Sequence, residues 1–438
     1  MTNAILERFY PDRPPDWTEM RISEALREVD RPIKMRSSEI YDLVSIRRRN
    51  GGMFHRESLP GAMILSKTLR EVVPGTFVIA RRQIVHGASA LATSEFAGCA
   101  ISNSYGSFEG TSRCDTAYFS WLAKLPFMYA YFLDSSHGVV IEKLVFDQRR
   151  WMSFPILLPR LPEQLRITEI LDSVDHAISR TERLITKLDR VRQGMLDDLL
   201  TRGIDENGEL RDPKLHPAEF KESAIGRMPR QWRVGRFGDV ARGVRGVTYK
   251  PEQLQRSLQA DSVILLRANN IQGGEIDAED IQIVPSRLVS AEQRVFHGDI
   301  VVCMSNGSRR LVGKSAQCTM SAAPLTVGAF CSVFHPQGVV PNFLLQLFQS
   351  SLYKRQVELT LAGSAINNLR NRDIETFDCA LPPMKEQERI ATALVAISMR
   401  TELEERGLRK LRRVKQGLME DLLTGRVRVT QLTEGDRA

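Results

Sequence analysis

The sequence predicts an α+β protein of two α/β domains and two long helices, in the order domain, helix, domain, helix. Three observations carry this. A 44-residue stretch recurs 223 residues later, the periodicity inside it runs too long for one small domain to cover, and short strand-like and helical runs alternate elsewhere.

The repeat pairs LPRLPEQLRITEIL at 158–171 with LPPMKEQERIATAL at 381–394. It continues without a gap to VRQGMLDDLLT at 191–201 against VKQGLMEDLLT at 414–424, with 19 identities in 44 positions. Upstream, Gly75 to Ala80 falls on Gly298 to Cys303, and Phe154 falls on Phe377. Pro15-Asp16-Trp17 is answered by Pro229-Arg230-Gln231-Trp232 at a shorter offset. The chain is therefore a duplication whose helices stayed alike while its globular halves diverged.

From Leu161 to Thr201 the only glycine is Gly194, and Pro162 suits a first helical turn. Leu171, Ile178, Ile185 and Leu199 recur at one heptad position, and Ile167, Val174, Leu188 and Met195 at the other. In the second copy Ile390, Leu394, Ile397, Leu408, Leu411, Leu418 and Leu422 keep the stripe, interrupted by Thr401 and Glu404. Two seam positions are polar in both copies, Thr181 with Glu404 and Arg192 with Lys415. A helix of about 39 residues is roughly 58 Å long at 1.5 Å per residue. Each stripe either packs on its own domain or, as the length favours, packs on the other stripe as a coiled coil with one face left for a partner.

Residues 1–155 and 230–378 read as mixed α/β, with β-like runs at Thr76 to Ala80 and Asp299 to Cys303. Helical stretches are expected near Tyr118 to Leu133 and Asn342 to Leu361. Between the units, 206–229 is polar and turn-rich and reads as a linker. Basic residues in the halves are mixed with side chains that bond phosphates and base edges. The first half offers Arg47, Arg48 and Arg49, then Arg81 and Arg82, then Asn103 and Tyr105. The second offers Arg242, Arg245, Tyr249 and Lys250, followed by Arg267, Asn269 and Asn270. Further on stand Asn306, Ser308, Arg309, Arg310 and Lys314, and finally Asn367, Asn368 and Arg370. One such cluster alone is ordinary solvated surface, but their recurrence beside turn glycines in both halves points to DNA.

The totals set outer limits. A hydrophobic share of 42% and a charged share of 26% describe a folded globular chain, and a net charge of +8 leans modestly toward a polyanionic partner. Six cysteines form no C-x-x-C pair, and the seven histidines add no zinc-like spacing, so no metal site is expected. With no apolar leader at 1–17 and no 18-residue apolar run, a cytoplasmic protein without membrane contact is expected. Ser308-Arg-Arg-Leu-Val-Gly313-Lys314-Ser315 fails as a phosphate-binding loop, because Ser308 stands where the first glycine is required. No G-x-G, N-P-P-Y, D-P-P-Y or H-E-x-x-H occurs, so no catalytic residues are assigned and the chain is expected not to be an enzyme.

With the tandem repeat, the L-P-P-x-x-E-Q-x-x-I segment and the Q-G-[LM]-[ML]-[DE]-D-L-L-T helix end in view, the chain resembles the specificity subunit of type I restriction-modification systems. IGRMPRQWRVGRFGDV, ILLRANNIQGGEI, GSRRLVGKSA and AGSAINNL also look like that family's second recognition domain, whereas the first domain matches less well. The resemblance implies target-recognition domains at 1–155 and 230–378 and spacer helices at 156–205 and 379–430. A tail follows at 431–438. The helices would pack antiparallel with pseudo-two-fold symmetry, and the domains would read the two halves of a bipartite, asymmetric site in double-stranded DNA. Spacer and partner-docking roles would fall to Glu163, Gln164, Ile167, Leu171, Ile178, Leu188 and Leu199. Their counterparts are Glu386, Gln387, Ile390, Leu394, Leu411 and Leu422. Two methyltransferase (modification) subunits would bind S-adenosylmethionine, and restriction/translocase subunits would use ATP and Mg, leaving this chain without a cofactor. The rival readings are a modification-only system, a coiled-coil adaptor that never touches DNA, and a stand-alone enzyme. Exchanging residues 1–155 for another subunit's domain is expected to change one half of the methylated sequence, as read by methylome sequencing. A change in both halves, or in neither, would sink the modular reading.

Overall fold

The computed structural model describes residues 2–11, 13–66, 68–138, 144–320, 323–363 and 366–429. The chain forms two compact units, Met1–Glu182 with Arg406–Ala438, and Arg183–Glu405. The expected tail at 431–438 lies outside the described residues.

In the first unit an antiparallel sheet runs in the order Leu26–Val29, Tyr105–Gly110, Phe77–Ala80, Ser89–Leu91. A second sheet orders Pro32–Ile33, Leu69–Glu71, Ala100–Ser102, Ile40–Ile46 and Met53–Pro60, with Leu43 and Ala100 paired in parallel. Thr18–Arg21 pairs with Pro155–Leu158 where the domain meets its long helix. The expected helical stretch is broken into Thr116–Leu122 and Pro126–Asp134. Proline at the second helix's start suits a first turn and, lacking an N–H, cannot continue the one before it. These helices bury Phe119, Phe127 and Tyr131 against Phe77, Phe108 and Trp151 in one aromatic-rich core.

The second unit repeats this connectivity. Ala241–Arg245, Cys331–Pro336, Ile300–Cys303 and Ser315–Gln317 lie in the same order, extended by a hairpin of Ile271–Gln272 with Glu275–Ile276. Gln282–Pro285, Ser262–Leu266, Leu325–Val327 and Arg294–Val295 form the other sheet, again with one parallel pairing, Ser262–Leu266 on Leu325–Val327. Arg233–Arg236 pairs with Asp378–Leu381. The second expected helical stretch is likewise split, into Pro341–Gln349 and Ser351–Ala362, with Ser350 accepting from Tyr353 N as the cap between them. Two halves with almost no common sequence thus share one strand order.

The repeat segments are helices over Leu161–Thr201 and Met384–Leu422. Each gives its first part to one unit and its second part to the other. In the first unit Ile167 and Leu171 join the domain core together with Leu422 and Leu423. In the second, Leu196, Leu199 and Leu200 do so with Ile390 and Leu394. Ile178 is also buried, while Leu188 and Leu411 are only half-buried. Polar partners line the seam: Lys415 pairs with Asp175 and Arg412 with Glu182 in the first unit, and Arg192 Nε donates to Ser398 Oγ at 3.0 Å in the second.

The Glu-Gln pair of each repeat is engaged within the chain: Gln164, Glu386 and Gln387 are buried and Glu163 is half-buried. Gln164 accepts from Asp115 N and donates to Arg113 O and Pro159 O, each at 2.8 Å. Gln387 does the same in its unit, accepting from Val340 N at 3.0 Å and donating to Pro382 O at 2.9 Å. Glu386 accepts from Ile204 N at 3.1 Å, Trp232 Nε1 at 3.1 Å, and both terminal nitrogens of Arg211 at 2.5 and 3.2 Å. Glu163 takes Arg428 through two bonds of 2.8 Å, and Arg428 also grips Asp16. A glycine follows each long helix in the left-handed region, Gly203 and Gly425. A Cβ at Gly203 would lie 2.2 Å from Glu386 Oε1, and one at Gly425 would lie 2.3 Å from Pro14.

The stretch read as a linker is folded for the same reason. Ile204 bridges to Leu210, Phe220–Lys221 pairs with Met228–Pro229, and Phe220 and Met228 are buried. Arg211→Ala would leave Glu386 charged and buried, a loss on the order of 3–5 kcal/mol. It is expected to lower the unfolding transition of the full chain in a thermal melt; an unchanged transition would remove the clamp from the stabilising contacts.

Candidate nucleic-acid interface

Equivalent strand order makes the loops comparable. In the first unit the turn after Ile40–Ile46 holds Arg47, Arg48 and Arg49, all exposed. Arg49 and Asn50 take positive φ of 58° and 54°, and their amides donate to His86 O and Gly87 O at 2.7 and 2.9 Å. Arg48 Nε donates to Gln83, and the Arg47 guanidinium sits 4.2 Å from the centre of the Phe54 ring. Arg81 Nη1 donates to Asn103 O at 2.8 Å. The three clusters singled out from the sequence are thereby brought together at one corner of the unit.

Within that corner the residues divide by role. Arg81 is held by Glu28 at 2.7 Å and by Gln148, and burial lowers its pKa while Glu28 opposes the shift. Tyr105 shares a 2.9 Å hydrogen bond with Ser45. These two position the loops. Arg82 and Asn103 are exposed, as are Arg47, Arg48 and Arg49, and these five are the side chains open to a ligand.

The same three loops in the second unit are 267–281, 304–314 and 328–330; the first two carry Arg267 to Asn270 and Asn306 to Lys314, while the candidates at 242–250 and 367–370 lie outside them. Arg267 and Asn269 both bond Asp280, which itself has a positive φ of 51°. Asn270 is buried, donating to Asp277 O and Glu279 O, so it shapes the loop and does not reach outward. Asn306 accepts from Ser308 N at 2.9 Å, and Asn367 Nδ2 donates to Gly307 O at 3.2 Å. Arg245 ties three loops by donating to Ala329 O, Leu369 O and Asn368 Oδ1, and burial lowers its pKa. Arg242 pairs with Glu292, Arg370 with Asp373, and Tyr249 Oη donates to Gln282. Lys250, Ser308 and Arg310 are exposed, and Lys314 Nζ donates to Ile271 O at 2.9 Å.

A cleft of about 730 Å³ opens among these loops, with Tyr249, Arg267, Asn269 and Asn306 on its walls. Phe330, 68% exposed, also lines it and was missed by the sequence reading. The only signal for it was an aromatic residue in a glycine-bounded turn. Such a wall offers cationic and amide groups to phosphates and base edges and an aromatic face to a base. Arg309, Arg310 and Lys314 face a separate groove. The segment from Ser308 to Ser315 leads into a strand, and Gly313 N is already bonded to Cys303 O, so it makes no phosphate-cradling turn. Among the described residues no group of three or more metal-binding side chains is found, and no helix is long and apolar enough to cross a membrane.

Residues 229–413 match the family described as the type I restriction modification DNA specificity domain. The match is confined to that segment. It covers the second domain and most of its long helix, and the internal repeat relates the first half to it. The chain is 37% identical over 172 residues to the specificity subunit of the type I restriction enzyme EcoKI from Escherichia coli (strain K12). That alignment covers 39% of this chain and 37% of the relative. It is 25% identical over 292 residues, 65% of each chain, to the MjaVIII specificity subunit of Methanocaldococcus jannaschii. The crystal structure of the type I restriction-modification S subunit from M. genitalium shares its fold, with a TM-score of 0.59 and 12% identity over 93% of this chain and 96% of that one. The resemblance drawn from the sequence is borne out by these matches.

Arg245→Ala would strand its carbonyl partners and is expected to cost about 1–3 kcal/mol of stability. Replacing the exposed Arg309 and Arg310 by Ala is expected to leave unfolding within about 0.5 kcal/mol, yet to weaken duplex binding and flatten its salt dependence. Melting curves and fluorescence anisotropy check both; unaltered DNA binding would take that loop off the interface.

Proposed function

We propose that this chain is the non-catalytic specificity subunit of a type I restriction-modification complex. Its two target-recognition domains, 1–155 and 230–378, read the two halves of a bipartite site in double-stranded DNA. The observation that carries this reading is the coincidence of loops: in both units cationic and amide side chains gather on the same two topological connections, 47–52 with 267–281 and 81–88 with 304–314. Divergence is concentrated in the domains, as expected if each reads a different sequence.

In this reading the helices within 156–205 and 379–430 pair antiparallel as the spacer, and the order of partners in the first unit, Asp175 with Lys415 and Glu182 with Arg412, supports that direction. Two methyltransferase subunits dock on the helices, and restriction/translocase subunits join them in the cytoplasm. S-adenosylmethionine, ATP and Mg belong to those subunits. This chain supplies phosphate contacts for affinity and base contacts for the address. One turn of DNA is about 34 Å, so a spacer of this length suits half-sites in successive major grooves.

The test is reconstitution with the cognate methyltransferase subunits, followed by mapping of methylated adenines. The expected result is one asymmetric, two-part motif with a fixed gap. Methylation without such a motif, or a reconstituted complex that ignores duplex DNA, would refute the reading.

A further inference from the structure

The seam cation that recurs in both helices, Arg192 in one copy and Lys415 in the other, has opposite surroundings in the two units. Lys415 is neutralised by Asp175 and lies 4.9 Å from the centre of the Trp121 ring. Arg192 donates to neutral partners, Ser398 and Gln349, and the carboxylate that bears on it is Asp189 of its own helix. It lines a groove of about 710 Å³ lying wholly in the second unit.

Five cationic side chains line that groove: Arg192 from the long helix, Arg309, Arg310 and Lys314 from the loop before Ser315, and Lys354 from the helix Ser351–Ala362. Glu358 is the one carboxylate among the described lining residues, and its backbone oxygen, not its carboxylate, takes Arg309. Uncompensated like charges held this way repel one another. Lys354 registers the strain: burial lowers its pKa, and Arg192 lowers it further, against the pull of Asp197. Burial likewise lowers that of Arg192. An anion entering the groove would relieve both costs at once.

We propose that this groove holds phosphodiester groups of the DNA backbone, with Arg192 and Lys354 as phosphate ligands contributed by helices outside the reading loops. The occupant follows from position, since Arg309 and Arg310 belong to the loop whose other side, at Ser305 to Gly307, lines the reading cleft. A strand read in the cleft therefore has its backbone within reach of the groove. The inference rests on the DNA-reading function proposed above. It adds that the two halves of the chain are unequal, because the matching cation of the first unit is already neutralised.

Phosphate contacts are indifferent to sequence, so the test needs no knowledge of the target. Binding of the full chain to a random-sequence duplex is followed by anisotropy across 50–200 mM KCl, for wild type, Arg192→Gln/Lys354→Gln, and Arg287→Gln as a comparator outside the groove. Each lost contact lowers the salt slope by about 0.9 and removes about a 3.5-fold share of the affinity change over that range. The double variant is expected to lose one to two such increments, Arg192→Lys to restore one, and Arg287→Gln to lose none. Wild-type binding with an unchanged slope in the double variant overturns the groove and leaves the DNA reader intact. Absence of any salt-dependent duplex binding by wild type overturns both. If the double variant melts early, Lys354→Gln alone decides, since its side chain makes only a 3.5 Å contact with Gln193. Saturation by a free nucleoside triphosphate that these substitutions abolish, with duplex binding unaffected, would also overturn the assignment.

Discussion

The architecture depends on a carboxylate placed in the first turn of each long helix. A buried Glu386 is tolerable only because four donors converge on it, and those donors come from the segment after the other long helix and from the tryptophan that opens the domain. Glu163 repeats the arrangement with Arg428, which in turn grips Asp16 beside Trp17. Each unit is consequently built from pieces far apart in sequence, and the end of one helix is fixed in the same unit that contains the beginning of the other. The satisfaction is not equal in the two copies, since Trp17 Nε1 is buried without a partner where Trp232 Nε1 has one.

That constraint explains what stayed alike after duplication. The glutamate, the glutamine beside it and the apolar stripe must all be kept for the helix ends to enter the cores, and these are the residues by which the repeat is recognised. Strand order was kept as well, but through burial patterns that many apolar residues satisfy. Two sheets with matching connectivity therefore emerged from halves whose sequences could not be aligned beyond a few positions.

Heptad spacing and the 223-residue offset revealed the existence of both helices, because periodicity and self-similarity are local. Runs such as Phe77–Ala80 and Ile300–Cys303 were legible for the same reason. Tertiary bookkeeping was not. Arg81 and Arg82 are neighbours in sequence, yet one is locked to Glu28 and Gln148 while the other is exposed, and only the fold tells them apart. Asn269 and Asn270 differ in the same way. The polar, turn-rich composition of 206–229 marked a linker but gave no sign that Phe220 and Met228 within it are buried.

The glutamine at the head of each helix has a property of its own. Gln164 and Gln387 meet the domains through main-chain groups, the amide of Asp115 or Val340 and the carbonyls of Arg113, Pro159 or Pro382. A joint that grips only peptide atoms makes no demand on the side chains around it. Any domain that presents an amide and a carbonyl at that spot can be seated there, whatever sequence it uses elsewhere. Evolution could then replace the reading surface wholesale while the scaffold went on holding it in the same grip.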